Sequence, residues 1–256
     1  MPTPLLLLAV VLVFAQASAG DPLPTARPST LSARFSPQDG GWLQVFGPDG
    51  ALVGSARTGR VVDLFFDGDV GVFLVTARRS SERGDRVVHL SIEKQARDTA
   101  ETQGRLRWRF SRELPELQPW KIWLADVDGD GRRELALGVY KAARFDPVPR
   151  KRLFIYDWPG HDLVPRWLGS RLAFPFDDFA FVDCPGGDGS ALFAAESEPG
   201  GGHRLMRYQW NGFGFSGDTR DAIELPQDSP LVETIAQGLL IQHATAAALC
   251  DKRSRP

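Results

Sequence analysis

The chain has 256 residues, of which 43% are hydrophobic, and its 30 basic and 32 acidic side chains leave a formal net charge of −2. This composition provides enough apolar surface for one large all-β domain or two small domains, and it excludes general disorder. The balanced charge gives no field of one sign that would attract nucleic acid or an anionic membrane. Neither partner is therefore predicted.

The amino-terminal residues predict export. Residues 5–15 form an apolar run, and residues 17–19 read Ala-Ser-Ala, the small-x-small pattern that signal peptidase requires. The run is too short to cross a bilayer, which takes about 20 apolar residues. Residues 1–19 are predicted to be a cleaved signal peptide, with an uncleaved anchor as the alternative. The mature chain then has no membrane span and is periplasmic or extracellular.

Two cysteines, Cys184 and Cys250, fit the oxidising compartment that export implies. A disulfide between them would tie the carboxy-terminal segment to the body of the protein. Two isolated buried thiols are the alternative, and the sequence does not decide between the two.

Most of the chain has the texture of β-structure. Residues 20–34 are rich in Pro, Ser and Thr and are predicted to be a linker. From about residue 35, short apolar runs are broken by Gly, Pro and Asp about every ten residues, as in β-sandwiches, barrels and propellers. The prediction is an all-β domain over residues 35–250, followed by a basic tail at residues 251–256.

Two segments do not show this texture. Residues 91–104 are polar with a narrow helical stripe, which predicts a long solvated excursion or a short surface helix. Residues 231–250 are compatible with either a helix or a closing strand. The sequence does not decide between the helix and the strand for residues 231–250.

Internal similarity narrows the fold. An alignment of the segments around residues 120 and 175 places Asp126 on Asp183 and Leu135 on Leu192, an offset of 57 residues. Residues 156–160 recur at residues 208–212, an offset of 52.

A period of this length fits a unit of several short strands, such as the four-stranded blade of a β-propeller. A third and fainter copy lies at residues 61–77. About four such units fit between residues 35 and 250, so the predicted architecture is a β-propeller of about four blades. A two-sheet β-sandwich with similar halves is the alternative.

One acidic loop predicts a metal site. Asp126, Asp128, Asp130 and Glu134 place carboxylates at positions 1, 3, 5 and 9 of a short segment. Calcium is a hard cation that binds about six to eight oxygen atoms, and alternate side chains of a curled loop can provide them. Without a cation these carboxylates would repel one another, so a bound ion would also help the loop to fold.

The other residues of the loop suit the same role. Gly129 and Gly131 allow the positive φ angles that a tightly curled loop needs, and the backbone carbonyl of Arg132, at position 7, would add a ligand. The predicted calcium ligands are therefore Asp126, Asp128, Asp130, Arg132 through its carbonyl, and Glu134. A solvated acidic turn without metal is the alternative.

The loop is not an EF-hand, because position 12 is Leu137 and the flanking residues resemble strands. It resembles the calcium loop of the FG-GAP and VCBS repeat family, the integrin-α-like β-propellers, in which a D-x-D-x-D-G-x-x-D/E loop joins two strands of a blade. The resemblance implies a propeller with calcium in one blade and an extracellular or envelope setting. In the second copy only the first carboxylate, Asp183, is in register.

No catalytic motif accompanies the loop. Residues 212–217 spell G-x-G-x-x-G, but they lack the helix and the acidic residue of a dinucleotide site, and their alternating Phe residues indicate a strand. The four histidines are far apart and have no zinc-binding spacing. The basic run at residues 150–152 is either a solvated loop or a contact for an anionic polysaccharide or phosphate.

The predicted function is a calcium-stabilised binding or interaction module whose ligand is an unidentified protein or glycan. One alternative is a carbohydrate-active enzyme whose acidic groups converge at the propeller channel from separate blades. Another is a structural component of the cell envelope. None of the three names a substrate.

Overall fold

The structure is a computed structural model that describes residues 31–36, 41–68, 70–78, 83–94, 104–144, 146–169, 171–183, 189–197 and 202–225. The predicted signal peptide, most of the predicted linker, Cys184, Cys250, the segment at residues 231–250 and the basic tail lie outside these ranges. In the part of the chain that is described, no helix is long and apolar enough to cross a membrane.

The described residues form sixteen β-strands and no α-helix, so the all-β prediction is confirmed. The strands make four antiparallel sheets, and the chain divides into two compact units, Met1–Trp120 and Lys121–Pro256. Each unit contains two of the sheets.

The first unit contains a three-stranded and a four-stranded sheet, each with its strands in chain order. The bounds are β1 (Ser32–Ser36), β2 (Trp42–Phe46), β3 (Leu52–Arg57), β4 (Arg60–Asp67), β5 (Gly71–Ala77), β6 (Arg86–Lys94) and β7 (Gly104–Glu113). Strand β1 begins at Ser32, so strand structure starts inside the segment that was predicted to be a linker.

Alternating burial explains how the first unit forms its core. In β2 the side chains of Leu43 and Val45 point inward while their neighbours are more exposed, as the two-residue period of a strand requires. They pack in one cluster with Val72, Leu74 and Leu90 of the second sheet. Strand β5 is buried at all of its seven positions, which fits a central strand covered on both faces.

The helix alternative for residues 91–104 is wrong at both ends of the segment. Residues 91–94 continue β6 and residue 104 begins β7, and the two strands pair from Arg86 opposite Glu113 to Lys94 opposite Gly104. Polar side chains such as Glu93 and Arg107 form ion pairs across this ladder. The polarity therefore belongs to a pair of strands with an exposed face, and residues 95–103 lie outside the described part.

The second unit contains a four-stranded sheet, in the order β11-β10-β9-β8, and a five-stranded sheet, in the order β12-β13-β14-β15 with β16 also paired to β14. A single turn of 3-10 helix, Thr219–Asp221, precedes the last strand. The bounds are β8 (Lys121–Ala125), β9 (Glu134–Ala143), β10 (Asp146–Asp157), β11 (Val164–Leu168), β12 (Phe176–Asp183), β13 (Ser190–Ser197), β14 (His203–Trp210), β15 (Phe215–Ser216) and β16 (Ile223–Leu225).

The two sheets of the second unit repeat the same register. Leu124 lies opposite Leu135 in the β8–β9 hairpin, and the residues 57 positions later, Phe181 and Leu192, lie opposite each other in the β12–β13 hairpin. Leu135 and Leu192 then face Tyr156 of β10 and Tyr208 of β14 on their other sides. The internal similarity found in the sequence is therefore also a similarity of strand pairing.

The two repeats also touch at equivalent positions. Lys121 begins β8, and Asp178, 57 residues later, lies near the start of β12. Their side chains form an ion pair in which both groups are largely buried. Strands β8 and β12 are thus neighbours within the second unit.

Candidate functional site

The acidic loop connects β8 to β9. Ala125 and Glu134 pair as the last rung of the hairpin, and the side chain of Val127 is fully buried beneath the loop. The ladder fixes both ends of residues 126–134, and Val127 fixes the first turn. The loop therefore starts from rigid supports, as a preorganised ion site requires.

Three of the predicted ligands come together. Carboxylate oxygens of Asp126, Asp128 and Asp130 all lie within 4.8 Å of one another. The Asp126 carboxylate accepts hydrogen bonds from the backbone N–H groups of Gly129 (2.8 Å) and Gly131 (3.0 Å), so the chain curls around this first residue. Clustered carboxylates held on a short loop are the donor set that calcium prefers.

Glycines make the curl possible, as the sequence predicts. Gly129 has φ 78° and Gly131 has φ 84°, which a residue with a Cβ adopts at a cost. A third glycine, Gly189, approaches the loop from the start of β13 with φ 99°. A Cβ at Gly189 would lie 2.8 Å from the backbone oxygen of Asp126, and Ser190 donates its N–H to that same oxygen at 2.6 Å.

Glu134 lies apart from this group of three. Its side chain is buried, and its Oε2 accepts a hydrogen bond from the N–H of Val127 at 2.8 Å. Burial raises the pKa of Glu134 to about 7, although the Val127 hydrogen bond and the charge of Arg166 act in the opposite direction. In this arrangement Glu134 closes the base of the loop.

The side chain of Arg132 also binds within the loop. Its Nε and Nη2 lie 3.0 and 2.7 Å from Oδ2 of Asp130, and its backbone N–H donates to Oδ1 at 2.8 Å. These hydrogen bonds hold the pKa of Asp130 below its usual range. Both groups are solvent-exposed in part, so the pair adds little to the stability of the fold.

A residue that the sequence interpretation missed contributes the main internal cation. Arg166 of β11 forms ion pairs with Asp128 and with Asp157 of the neighbouring strand, and its Nη2 lies 3.6 Å from Oε1 of Glu134. Burial lowers the pKa of Arg166, but the hydrogen bonds with Asp128 and Asp157 outweigh it and raise that pKa above its ordinary value. Arg166 therefore stays charged and offsets part of the negative charge of the loop.

The spacing of residues in the sequence did not indicate that Arg166 contacts the acidic loop. It is 32 residues beyond Glu134 and lies alone in the strand Val164–Leu168, with no acidic pattern beside it. The connection becomes visible once β11 is known to pair with β10 and β10 with β9.

The donor set fits calcium. Asp126, Asp128 and Asp130 would hold the ion, with the carbonyl of Arg132 as the further predicted ligand. A bound divalent ion would offset two of the three negative charges of the clustered carboxylates and tie the loop together. Such a role would be structural.

The remaining motifs have structural explanations in the described residues. Residues 211–214 form the turn of the β14–β15 hairpin, in which Gly212 has φ 100° and Trp210 pairs with Phe215. The strand interpretation of the G-x-G-x-x-G sequence therefore holds only for Phe215 and Ser216, and Phe213 lies exposed in the turn. Where the structure describes histidines, none belongs to a cluster of three or more potential metal ligands.

No family model matches the chain, and no curated protein sequence matches it at a significant level.

Proposed function

We propose that the protein is an exported binding module with a calcium-stabilised, propeller-type β-fold. The observation that carries the calcium part is the convergence of Asp126, Asp128 and Asp130 on a glycine-curled loop between two paired strands. Export is proposed from the apolar run and the Ala-Ser-Ala site near the amino terminus.

The order of the strands supports the propeller. Each of the four sheets is built from strands that follow one another in the chain, which is how the blades of a propeller are made. The matched registers of the β8–β10 and β12–β14 segments support repeated units of one kind. Four separate sheets favour this architecture over a two-sheet sandwich.

Bound calcium would stabilise the folded protein, and the folded protein would bind its ligand at another part of its surface. Propellers of this general kind serve many unrelated functions, so the fold alone does not choose a ligand. The carboxylates of the acidic loop accept hydrogen bonds from N–H groups of the loop itself and pair with Arg166. This arrangement resembles the surroundings of a structural ion more than a pair of catalytic acids.

Thermal unfolding of the chain from Gly20 onward, in calcium and then in excess chelator, tests the proposal. At a calcium concentration about a hundredfold above the Kd, binding to the native state should stabilise the protein by about 2.7 kcal/mol. The variant Asp128→Asn removes one ligand charge, so its melting temperature should respond far less to calcium.

Asp183→Asn is the matched control, because it makes the same change at the end of the equivalent strand β12, where Asp183 binds the hydroxyl of Ser190. This variant should keep the full calcium response. An equal response in Asp128→Asn, Asp183→Asn and the unmodified protein would overturn the site, and metal analysis of the chelator-treated sample would exclude retained ion as the reason.

A further inference from the structure

A basic pocket lies within the second unit, outside the acidic loop. Its volume is about 380 Å3, within the range of small-molecule sites. One side is the first half of β10, and the other is the segment that leads into β12. The charged residues of the lining are Asp146, Arg150, Lys151, Arg152 and Arg171.

The β10 side is shaped by an irregular stretch of strand. The pairing of β10 with β9 shifts register between Asp146 and Arg150, and such a bulge leaves carbonyl groups without regular partners. Arg152, which is only 1% exposed, donates to the carbonyls of Asp146 (3.0 Å) and Val148 (3.2 Å). The guanidinium of Arg152 is thus used to hold the wall of the pocket in place.

The opposite wall is fixed by a buried polar network. The N–H of Ala173 donates to the hydroxyl of Tyr208 at 3.0 Å, and the N–H of Phe174 donates to Glu196 at 3.3 Å. Glu196 is fully buried and is itself bound by Tyr208 and Arg204. The segment at residues 171–176 is therefore attached to the core by its backbone, so the pocket is preformed.

The pocket carries an excess of positive charge. Four of its lining side chains are cationic and one, Asp146, is anionic, a formal excess of three. Arg150 is 41% exposed, and its Nε is 3.2 Å from Oδ2 of Asp146 without the alignment of a hydrogen bond. Arg171 is exposed at the other wall. These two guanidinium groups remain accessible to a ligand, whereas Arg152 is enclosed.

The rest of the lining is apolar. Leu172, Phe174 and Phe176 come from one wall and Pro147 from the other. The guanidinium of Arg204 covers one face of Phe174 at 4.4 Å from the ring centre. The pocket therefore combines two accessible cations with an apolar body, which suits a molecule that has an anionic end and a compact ring.

We propose that this basic pocket binds a small organic anion in which a carboxylate is carried on a six-membered ring. The carboxylate contacts Arg150 and Arg171, whose planar guanidinium groups suit carboxylate oxygens, and the ring lies against the apolar residues. The volume accommodates a single ring. This inference rests on the proposed role as a binding module and names its ligand class, but it does not depend on the calcium loop.

Calorimetric titration of the mature protein in calcium with two ring acids, D-glucuronate and benzoate, tests the inference and separates a sugar ring from an aromatic one. D-glucose, benzyl alcohol and acetate are the matched probes that lack either the carboxylate or the ring. At least one ring acid should bind more than tenfold more tightly than its neutral counterpart and than acetate, and the binding should weaken as salt is raised.

The variant Arg171→Gln should weaken that binding about tenfold, equivalent to about 1.4 kcal/mol. Arg105→Gln is the matched control, because it removes the same charge from an exposed side chain of the first unit that does not line the pocket. Failure of both ring acids to bind, or equal binding of acetate, overturns the inference. A persistent calcium response in the same sample would show that the failure concerns the pocket and not the calcium module.

Discussion

Two buried arginines occupy the same position in the two sheets of the second unit. Arg152 lies on β10 opposite Val139, and Arg204 lies on β14 opposite Glu196, the residues 52 and 57 positions later in the repeat. Their exposures are 1% and 6%. The repeat therefore preserves a buried guanidinium although the residue that faces it differs.

The two arginines are satisfied in different ways. Arg152 donates to backbone carbonyls, including that of Lys141 at 2.7 Å, and forms an ion pair with Asp146 at 3.2 Å. Arg204 donates from two nitrogens to one carboxylate oxygen of Glu196, at 3.2 and 3.1 Å. In the sheet of β10, an irregular stretch of strand provides backbone carbonyls as acceptors. In the sheet of β14, the acceptor is the buried carboxylate of Glu196.

The difference shows that the repeat fixes the position of the buried guanidinium, whereas the groups that accept its hydrogen bonds differ between the two sheets. Burying a guanidinium costs free energy unless its donors are bonded, so each sheet needs some set of acceptors. The bulge in β10 that serves Arg152 also shapes the basic pocket. In the regular strand β14, Glu196 accepts the hydrogen bonds of the buried guanidinium instead. Glu196 also binds the opposite wall of the basic pocket through the N–H of Phe174.

The largest expected effect comes from making the second sheet resemble the first. Glu196→Val introduces the residue found at position 139 without its carbonyl acceptors, so the buried Arg204 loses the carboxylate that accepts from its Nε and Nη2. The free energy of unfolding should fall by about 3–5 kcal/mol, as for other broken buried ion pairs. Urea unfolding monitored by tryptophan fluorescence measures this.

The double variant Glu196→Val with Arg204→Met removes the buried guanidinium as well and should recover part of that loss, because Phe174 N–H and the Tyr208 hydroxyl still lack the Glu196 acceptor. If the single variant loses less than about 1 kcal/mol, Arg204 finds other acceptors and the comparison with Arg152 does not hold.

An intermediate effect is expected in the first sheet. Arg152→Met leaves the carbonyls of Lys141, Asp146 and Val148 without their donor, and this should cost about 2–4 kcal/mol. Arg150→Met is the control, since it makes the same substitution two residues away on a partly exposed side chain and should cost less than about 1 kcal/mol. Equal losses in the two variants would mean that Arg152 matters as an apolar stem rather than as a donor.

The smallest effect extends the comparison to the two hairpins. In the first hairpin the loop residue Asp128 is paired with the cation Arg166, whereas in the second Asp183, the last residue of β12, accepts a hydrogen bond from the hydroxyl of Ser190 at 2.6 Å. Arg166→Gln should lower the free energy of unfolding in chelator by about 1–2 kcal/mol, because the clustered carboxylates lose their internal cation. Calcium should restore much of this loss.

Ser190→Ala provides the contrast, because it removes a neutral partner and should change stability equally in calcium and in chelator. Differential scanning fluorimetry with and without chelator compares the two variants. A loss in Arg166→Gln that is the same in both buffers would show that Arg166 does not act on the ion-binding carboxylates.

The sequence predicted those parts of the molecule that depend on local pattern. Alternating apolar residues and turn glycines predicted strands, and the 57-residue offset predicted that Leu135 and Leu192 occupy equivalent positions, which the ladders confirm. The convergence of Asp126, Asp128 and Asp130 followed from their spacing in one short loop, where the chain has little freedom to separate them.

What the sequence could not predict depends on which strands are neighbours. Arg166 reaches the acidic loop across a sheet, so no local pattern marks it. The basic run at residues 150–152 marked one wall of the basic pocket, but the other wall comes from a segment about 20 residues later, which no local pattern connects to it. The polar stretch at residues 91–94 was misinterpreted because a strand with an exposed face carries charged residues and can show a weak helical stripe.

The ion pair between Lys121 and Asp178 joins two positions that are copies of each other in the repeat. A chain made of identical repeats would bring like against like at this contact, two lysines or two aspartates, and the pair would repel. Opposite charges at the two copies therefore make the two repeats complementary at this contact. A protein built by duplicating either repeat alone would lose the attraction between them.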